Sequence, residues 1–434
     1  MKCFHGKSCQ NRKYADDFYD ENRRGIGFFY ALKRNGECIF MLFSLALIFL
    51  LGMLLGKIFD KLGLPKLLGM LLTGVLLGPY MLNYIDGSIL GISSELRKIA
   101  LIIILTRAGL NLDLKDLRKV GRPAVLLCFV PAVFEILGVT LLAPRFLGLG
   151  ILDALILGTV VAAVSPAVIV PRMLKLMENG YGREQKIPQM IMAGASVDDV
   201  FVIVLFTAFT GFALTGEMHL GEFLSIPVAI VLGVVTGGAL GTVLSWLFVR
   251  FHIRDTGKVL VILSMAFLLV SLEEMLQGIV GFSGLLAVMA MGIMLQEKKY
   301  EVARRLSGKF SKLWVAAELL LFVLVGASVN LSLVLTAGLP AVLLVLLALL
   351  FRVLGVFLSL LITPLTRKER AFSAMAYLPK ATVQAAVGGL PLAMGLPSGE
   401  IILTVAVVSI VLTAPLGSIL VDRSYEKLLQ KARK

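Results

Sequence analysis

The sequence has few charged residues. Only 16% of its 434 residues are Asp, Glu, Lys or Arg, whereas soluble domains contain about 25%. Cysteine is also rare, and the four cysteines show no disulfide-dense spacing. The cluster of Cys3, His5 and Cys9 matches no standard zinc spacing. The composition therefore excludes an ordinary cytosolic protein and argues against a disulfide-stabilised or zinc-stabilised scaffold.

Long apolar runs recur from Phe40 almost to the C-terminus, and they are rich in Leu, Ala and Gly without alternating polar residues. Runs of this length and pattern predict membrane-spanning helices. We therefore expect an all-α polytopic membrane protein with about 13 transmembrane helices. A polar N-terminal leader (1–39) precedes one membrane transport domain (40–422), and a basic tail (423–434) follows it. The predicted spans are 40–58, 65–83, 95–111, 123–143, 151–174, 188–214, 223–249, 258–273, 279–295, 312–330, 339–362, 371–394 and 400–421.

The formal net charge of +14 comes from Lys and Arg in short loops between apolar runs. Such loops report cytoplasmic topology, so no nucleic-acid partner is expected. The basic loops lie near residues 107–122, 172–186 and 298–312, and the C-terminal tail is basic as well. The C-terminus is therefore predicted to be cytoplasmic. An odd number of spans then places the N-terminus outside, although basic residues precede the first span, and we give the later loops more weight.

Three glycines in the seventh span, Gly233, Gly237 and Gly241, repeat at a spacing of four residues. Small residues at this spacing let membrane helices approach closely. Helix packing explains the pattern without a further function.

Two adjacent carboxylates, Asp198 and Asp199, stand in the middle of the sixth span, in GASVDDVFVIVLF. An ionisable group near the bilayer centre costs several kcal/mol, so it must face water, pair with a cation or carry a proton. Neighbours on a helix point about 100° apart and meet different surroundings. Structural pairing of both with basic residues is the alternative, but we favour a functional site.

Glu135, Arg352 and Lys380 are further charges inside predicted spans. If Glu135 pairs with Arg352, and one aspartate pairs with Lys380, a single carboxylate remains for a cation or a proton. For Glu135 and Arg352 we favour a buried pair that joins two helices. For Lys380, a mechanistic and a structural role are both open, because a buried lysine can release its proton.

Two spans are interrupted by proline. Ser165-Pro166 breaks the fifth span, and Pro379-Lys380-Ala381-Thr382 breaks the twelfth, since each proline removes a backbone donor. Broken helices at corresponding places in two halves are typical of transporters built from inverted repeats. The ends of the half-helices carry partial charges from the helix dipole, and side chains of opposite charge compensate them.

Several stretches resemble one family: LLTGVLLGP, LRKIALIIILTRAGLNLDL, AAVSPAVIVPRML, GASVDDV and YLPKATVQAAVG. Their order and spacing are similar to the monovalent cation/proton antiporter superfamily, specifically its NHA branch of sodium/proton exchangers, over about residues 60–420. The resemblance implies a dimerisation subdomain and an ion-translocating core with two crossed, discontinuous helices. The crossed helices would carry Ser165, Pro166, Lys380 and Thr382 as support for the ion site.

The resemblance also implies roles for the charged residues. Asp199 would be the principal carrier of the ion and the proton, and Asp198 would pair with a membrane lysine and contribute to the site. Glu135 and Arg352 match the branch's ion pair, and Lys380 matches its lysine. Many relatives have lysine where this chain has Arg352. Arginine does not release its proton, so Arg352 in place of lysine bears on the number of protons exchanged per cation.

The expected function is secondary antiport of Na⁺ or Li⁺ against protons, with both aspartates as ligands of the metal ion. Apart from the transported ions, no cofactor is expected. The expected partners are membrane lipid and a second copy in a homodimer, with anionic lipid at the dimer interface, in a bacterial-type plasma membrane. The alternatives are a potassium/proton exchanger and a sodium-coupled organic-anion symporter. An intramembrane enzyme is disfavoured, because the sequence contains no HExxH or GxSxG motif, and a scaffold would leave the aspartates unexplained.

Overall fold

The computed structural model describes residues 37–112, 121–182, 184–215, 220–251, 253–276 and 280–431. Several sequence predictions fall outside these ranges: the leader up to residue 36 with Cys3, His5 and Cys9, residues 113–120 of the first basic loop, and Arg183 of the second.

The described residues form 18 helices. In chain order these are α1 (Glu37–Lys61), α2 (Lys66–Leu77), α3 (Gly87–Gly91), α4 (Ser93–Asn111), α5 (Arg122–Leu127), α6 (Val130–Leu147), α7 (Ile151–Ala162), α8 (Pro166–Glu178), α9 (Ile187–Thr215), α10 (Leu220–Arg250), α11 (Asp255–Leu276), α12 (Gly284–Lys298), α13 (Tyr300–Ala327), α14 (Leu331–Ser359), α15 (Arg367–Ala376), α16 (Thr382–Val387), α17 (Leu390–Ala393) and α18 (Gly399–Leu428).

Nine helical segments in the described residues are long and apolar enough to cross a membrane. They are Met41–Lys61, Arg122–Leu147, Ile151–Glu178, Ile187–Leu214, Val228–Arg250, Asp255–Leu276, Tyr300–Ala327, Gly338–Ser359 and Gly399–Leu428. Other predicted spans are shorter, as in Lys66–Leu77 and Thr382–Ala393, or more polar, as in α4. The prediction of an all-α polytopic membrane protein is confirmed, whereas the count of about 13 spans stays a prediction.

Glycines let α10 and α12 pack closely. A Cβ atom added at Gly233 would lie 2.7 Å from the carbonyl oxygen of Ser283, and one at Gly241 would lie 2.5 Å from that of Met291. At Gly237 the added atom would overlap the carbonyl oxygen of Ala287. The packing role expected of these three glycines is therefore confirmed, because only hydrogen fits between the two backbones.

The helices pack in two groups. In one, α6 lies along both α7 and α14, while α7 also packs on α9 and α18 packs on α14 and α15. In the other, α13 packs on α2 and α4, and α12 packs on α4 and α10. The short helix α16 contacts α4 and α13 as well as α7 and α18. The charged residues singled out in the sequence lie in the first group, beside the boundary between the two.

Candidate functional site

The two predicted interruptions are present, and they meet. Helix α7 ends at Ala162 and α8 begins at Pro166, with Ser165 extended between them. Helix α15 ends at Ala376 and α16 begins at Thr382. The backbone N–H of Ser165 donates to the carbonyl oxygen of Pro379 at 2.8 Å. One backbone hydrogen bond therefore joins the two breaks at the point where the helices cross.

The side chains at the crossing are buried and polar. Ser165 Oγ lies 3.5 Å from Thr382 Oγ1, and Pro166 occupies the first turn of α8, where its missing N–H leaves no helical bond unmade. The N–H of Lys380 donates to Thr413 Oγ1 of α18 at 2.9 Å. These contacts fix the non-helical backbone where water is scarce.

Polar side chains satisfy the carbonyls at the broken end of α7. Gln384 Nε2 donates to Val161 and Ala163 at 3.2 and 2.8 Å. The carbonyl of Ala162 accepts from Lys380 Nζ at 3.3 Å and from Arg352 Nη1. The carboxyl end of a helix carries unpaired carbonyls and a partial negative charge. The two cations and one amide therefore stabilise a helix end that would otherwise be unpaired inside the membrane.

One arginine bridges two carboxylates. Arg352 Nη1 donates to Glu135 Oε2 at 2.7 Å, and its Nη2 donates to Asp198 Oδ2 at 2.9 Å. Asp198 also accepts from the N–H of Val164 at 2.9 Å. All three charged side chains are fully buried. The structure therefore brings Glu135 and Arg352 into the contact that the sequence suggested.

The contact expected between an aspartate and a lysine is not formed. Lys380 Nζ donates to Glu135 Oε2 at 2.5 Å instead, and Asp198 has Arg352 as its cation partner. The pairing of Asp198 with a membrane lysine, implied by the resemblance, is therefore wrong for this structure. The physical reason is that a guanidinium has five N–H donors and can serve both carboxylates at once, which leaves Lys380 to Glu135 and the end of α7.

Asp199 differs from its neighbour. It forms no ion pair with any described residue, and its Oδ1 is buried without a hydrogen-bond partner. Asp199 keeps 9% of its residue surface exposed, whereas Asp198 keeps none. The two residues are successive on α9 and so point about 100° apart. Asp198 faces the arginine, and Asp199 is left with free acceptor capacity.

The buried groups carry an excess of one negative charge when they are ionised, because Glu135 and Asp198 pair with the two cations Arg352 and Lys380 and Asp199 adds a third buried carboxylate. One oxygen of each carboxylate has no hydrogen-bond partner. A buried net charge is costly. A proton or a small monovalent cation would remove it, and oxygen atoms are the ligands that hard cations prefer.

Sequence reasoning missed three residues here. Gln384 was not singled out, although a glutamine four residues after a membrane lysine is a polar signal in an apolar segment. Tyr377 is fully buried, accepts a hydrogen bond from Arg352 Nε on its carbonyl at 2.6 Å, and its ring lies 5.5 Å from the guanidinium. Arg97 of α4 is buried against Gly389, with Nη1 unpartnered. Its charge inside the third predicted span was the available signal.

The chain is similar to known proteins over most of its length. The family described as "Sodium/hydrogen exchanger, transmembrane" matches residues 44–423. Sodium/hydrogen exchanger 9B2 of Homo sapiens is 36% identical over 415 residues, which cover 90% of this chain and 75% of that protein. Sodium/hydrogen exchanger 9B1 of Homo sapiens is 33% identical over 413 residues, covering 90% and 78%.

A solved structure shows the same fold. The sodium proton antiporter MjNhaP1 from Methanocaldococcus jannaschii superposes with a TM-score of 0.81 at 23% identity, covering 91% of this chain and 99% of that one. The family match spans nearly all the described helices, including both interruptions and the aspartate pair. The chain therefore belongs to the sodium/hydrogen exchanger family.

Proposed function

We propose that this protein is a secondary antiporter that exchanges Na⁺ or Li⁺ for protons, with Asp199 as the carrier. The observation that carries the proposal is the buried cluster at the helix crossing, where Glu135 and Asp198 pair with Arg352 and Lys380 while the next residue, Asp199, is buried without an ion pair among the described residues. Asp198 is held by Arg352 and Val164. Asp199 has no such partner among the described residues, so it is the group available to cargo.

Competition at one carboxylate produces the coupling. A proton and a sodium ion each neutralise the excess charge, but both cannot occupy Asp199 at once. If only the neutral core can pass between the two sides, because a buried net charge is penalised, then transport in one direction carries a proton and transport in the other carries sodium. Exchange then follows from electrostatics alone. The relatives that match are named sodium/hydrogen exchangers, which supports this reading over potassium exchange or organic-anion symport.

Supporting residues hold the ligand oxygens in place. We assign Ser165, Pro166 and Thr382 to the support of the ion site, because they fix the extended backbone at the crossing. Asp198 would contribute its free Oδ1 to the cation. Lys380 and Arg352 stabilise the carboxylates and the end of α7. In this proposal Glu135 and Arg352 are structural, and Lys380 supports the site.

Alternating access would use the two helix groups described above. The group containing α6, α7, α9 and α14 would be the ion-translocating core, and that containing α12 and α13 would belong to the dimerisation subdomain. The proposal also includes a homodimer with anionic lipid at its interface. It places the C-terminus in the cytoplasm, which the basic loops support. The vertebrate and archaeal relatives lend no support to a bacterial-type plasma membrane.

The test is proton movement in proteoliposomes. A pH-sensitive dye would report proton flux after addition of NaCl, LiCl or KCl to vesicles containing the wild type, Asp199→Asn or Asp153→Asn. Asp153 is a matched control, since its carboxylate accepts from Ser398 at 2.8 Å and lies in the first turn of α7, away from the crossing.

We expect Na⁺ and Li⁺ to move protons in the wild type and in Asp153→Asn, and Asp199→Asn to abolish the response while the protein still elutes as a folded species. A response to KCl alone would favour the potassium exchanger. Unchanged exchange in Asp199→Asn would remove this residue as the carrier.

A further inference from the structure

A cleft outside the ion site opens where α5 begins and α14 ends. Its volume is about 250 Å³, and its lining includes Arg122, Leu126, Leu358, Leu361 and Ile362. Arg122 is the first residue of α5, while Leu361 and Ile362 immediately follow α14. The cleft therefore lies at the end of two apolar helices, at the level where a membrane span gives way to a basic loop.

The chemistry of the cleft is amphipathic. Leu361 and Ile362 are 55% and 78% exposed, as expected of side chains that contact acyl chains rather than protein. Arg122 is exposed and has no ion pair with a described residue. Arg370 Nη2 donates to the carbonyl oxygens of Leu361 and Thr363 at 3.2 and 3.1 Å. These bonds hold the chain after α14 in a defined shape, so the apolar wall of the cleft is a built feature.

We propose that this cleft binds an anionic phospholipid. The phosphate would lie at Arg122, and the acyl chains would run over Leu361 and Ile362. Sites for whole small molecules measure about 300–1,000 Å³, so a cleft of this size takes the phosphate and glycerol while the chains remain in the bilayer. Charge complementarity selects the headgroup, because unpaired basic residues at this depth attract anionic lipid. Arg367 and Lys368 begin α15, five and six residues after Ile362 of the cleft, and add positive charge to this segment.

The position links the lipid to the helices of the ion site. Leu358 follows Arg352 by six residues on α14, a rise of about 9 Å at 1.5 Å per residue. Helix α5 leads directly into α6, which carries Glu135. A lipid in the cleft therefore bridges the end of α14, which carries Arg352, and α5, which precedes the helix of Glu135. It would stabilise the protein without taking part in ion binding, so the site is independent of the exchange function.

The experiment measures lipid binding to the purified full-length chain in neutral detergent. Phosphatidylglycerol or phosphatidylcholine would be added as mixed micelles, with retained lipid read by native mass spectrometry and the melting temperature recorded in parallel. The variants are Arg122→Gln and the matched control Arg304→Gln, an exposed arginine on α13 outside the cleft. Inorganic phosphate without lipid forms a further arm.

We expect phosphatidylglycerol, and not phosphatidylcholine, to be retained and to raise the melting temperature of the wild type and of Arg304→Gln. Arg122→Gln should retain about five-fold less, since one basic residue contributes about 1 kcal/mol to binding anionic lipid. Equal retention by wild type and Arg122→Gln would overturn the proposal, as would an equal thermal shift with inorganic phosphate alone. The proposal would also be overturned if two Ile362→Cys chains formed a disulfide cross-link efficiently and the wild type formed none. A second copy of the chain would then cover the cleft.

Discussion

Replacing Arg352 by methionine tests the charge balance of the buried cluster. The substitution keeps an unbranched apolar stem but removes the group that holds Glu135, Asp198 and the carbonyls of Ala162 and Tyr377. Glu135 keeps Lys380 as a partner at 2.5 Å. Asp198 retains only the N–H of Val164. The damage therefore falls mainly on Asp198, a fully buried carboxylate that loses its only cation among the described residues.

The expected loss is large. Removing one partner of a buried ion pair costs about 3–5 kcal/mol, because the remaining charge is uncompensated. The variant also raises the net charge of the cluster from one to two negative charges. By comparison, Arg305→Met removes a half-exposed partner of Asp255, and such a surface pair contributes about 0–1 kcal/mol. This second variant is the control for loss of an arginine as such.

Removal of a matching carboxylate should rescue the variant selectively. Asp198→Asn with Arg352→Met restores a single excess negative charge and leaves Glu135 paired with Lys380. Glu135→Gln with Arg352→Met restores the same net charge, but Lys380 then loses its carboxylate and Asp198 stays unpaired. We therefore expect recovery of stability in the first double variant and much less in the second.

The assay is the fraction of protein that remains monodisperse by size-exclusion chromatography after heating in detergent. The apparent melting temperature should fall in the order wild type, Arg305→Met, Asp198→Asn/Arg352→Met and Glu135→Gln/Arg352→Met. The single variant Arg352→Met should melt at or below the temperature of Glu135→Gln/Arg352→Met. If Asp198→Asn gives no rescue, or if Glu135→Gln rescues better, the assignment of Arg352 as the essential partner of Asp198 is refuted.

Three further predictions concern transport and packing. The sodium concentration for half-maximal exchange should rise about tenfold for each unit of pH decrease where the carrier is mostly protonated, because protons compete for the same site. Dye-monitored flux across a pH series measures this concentration, and a concentration that does not change with pH would contradict competition at Asp199. Gln384→Leu should leave two buried carbonyls at the end of α7 unpaired, at a cost of about 1–3 kcal/mol each, and so lower the melting temperature. Thr210→Val is the control, because the Thr210 hydroxyl bonds only to its own helix, and equal stability of the two variants would show that the amide cap is dispensable. Gly237→Leu should separate α10 from α12 and lower thermal stability and yield, whereas Gly308→Leu on α13 should be tolerated, because a Cβ added there has no atom within 4 Å. Comparable losses of stability and yield in both variants would refute close helix contact as the reason for the glycine at position 237.

The sequence by itself determined the class of protein and the identity of most site residues. Low charge and long apolar runs leave helices as the structure that satisfies the backbone in lipid. Asp198, Asp199, Glu135, Arg352 and Lys380 were visible because a charge inside an apolar span is costly and so conspicuous. The prolines marked both interruptions, since a missing N–H has a local effect that needs no knowledge of the fold.

Only the tertiary structure decided which charges meet. The sequence allowed Lys380 to face an aspartate, yet the positions of α6, α7 and α14 bring it to Glu135 and the end of α7. Pairing depends on helix rotation and depth, which residues distant in the chain set together. The same applies to Gln384, whose partners precede it by more than 200 positions. Local patterns reveal which groups must be compensated inside a membrane, and three-dimensional packing determines what compensates them.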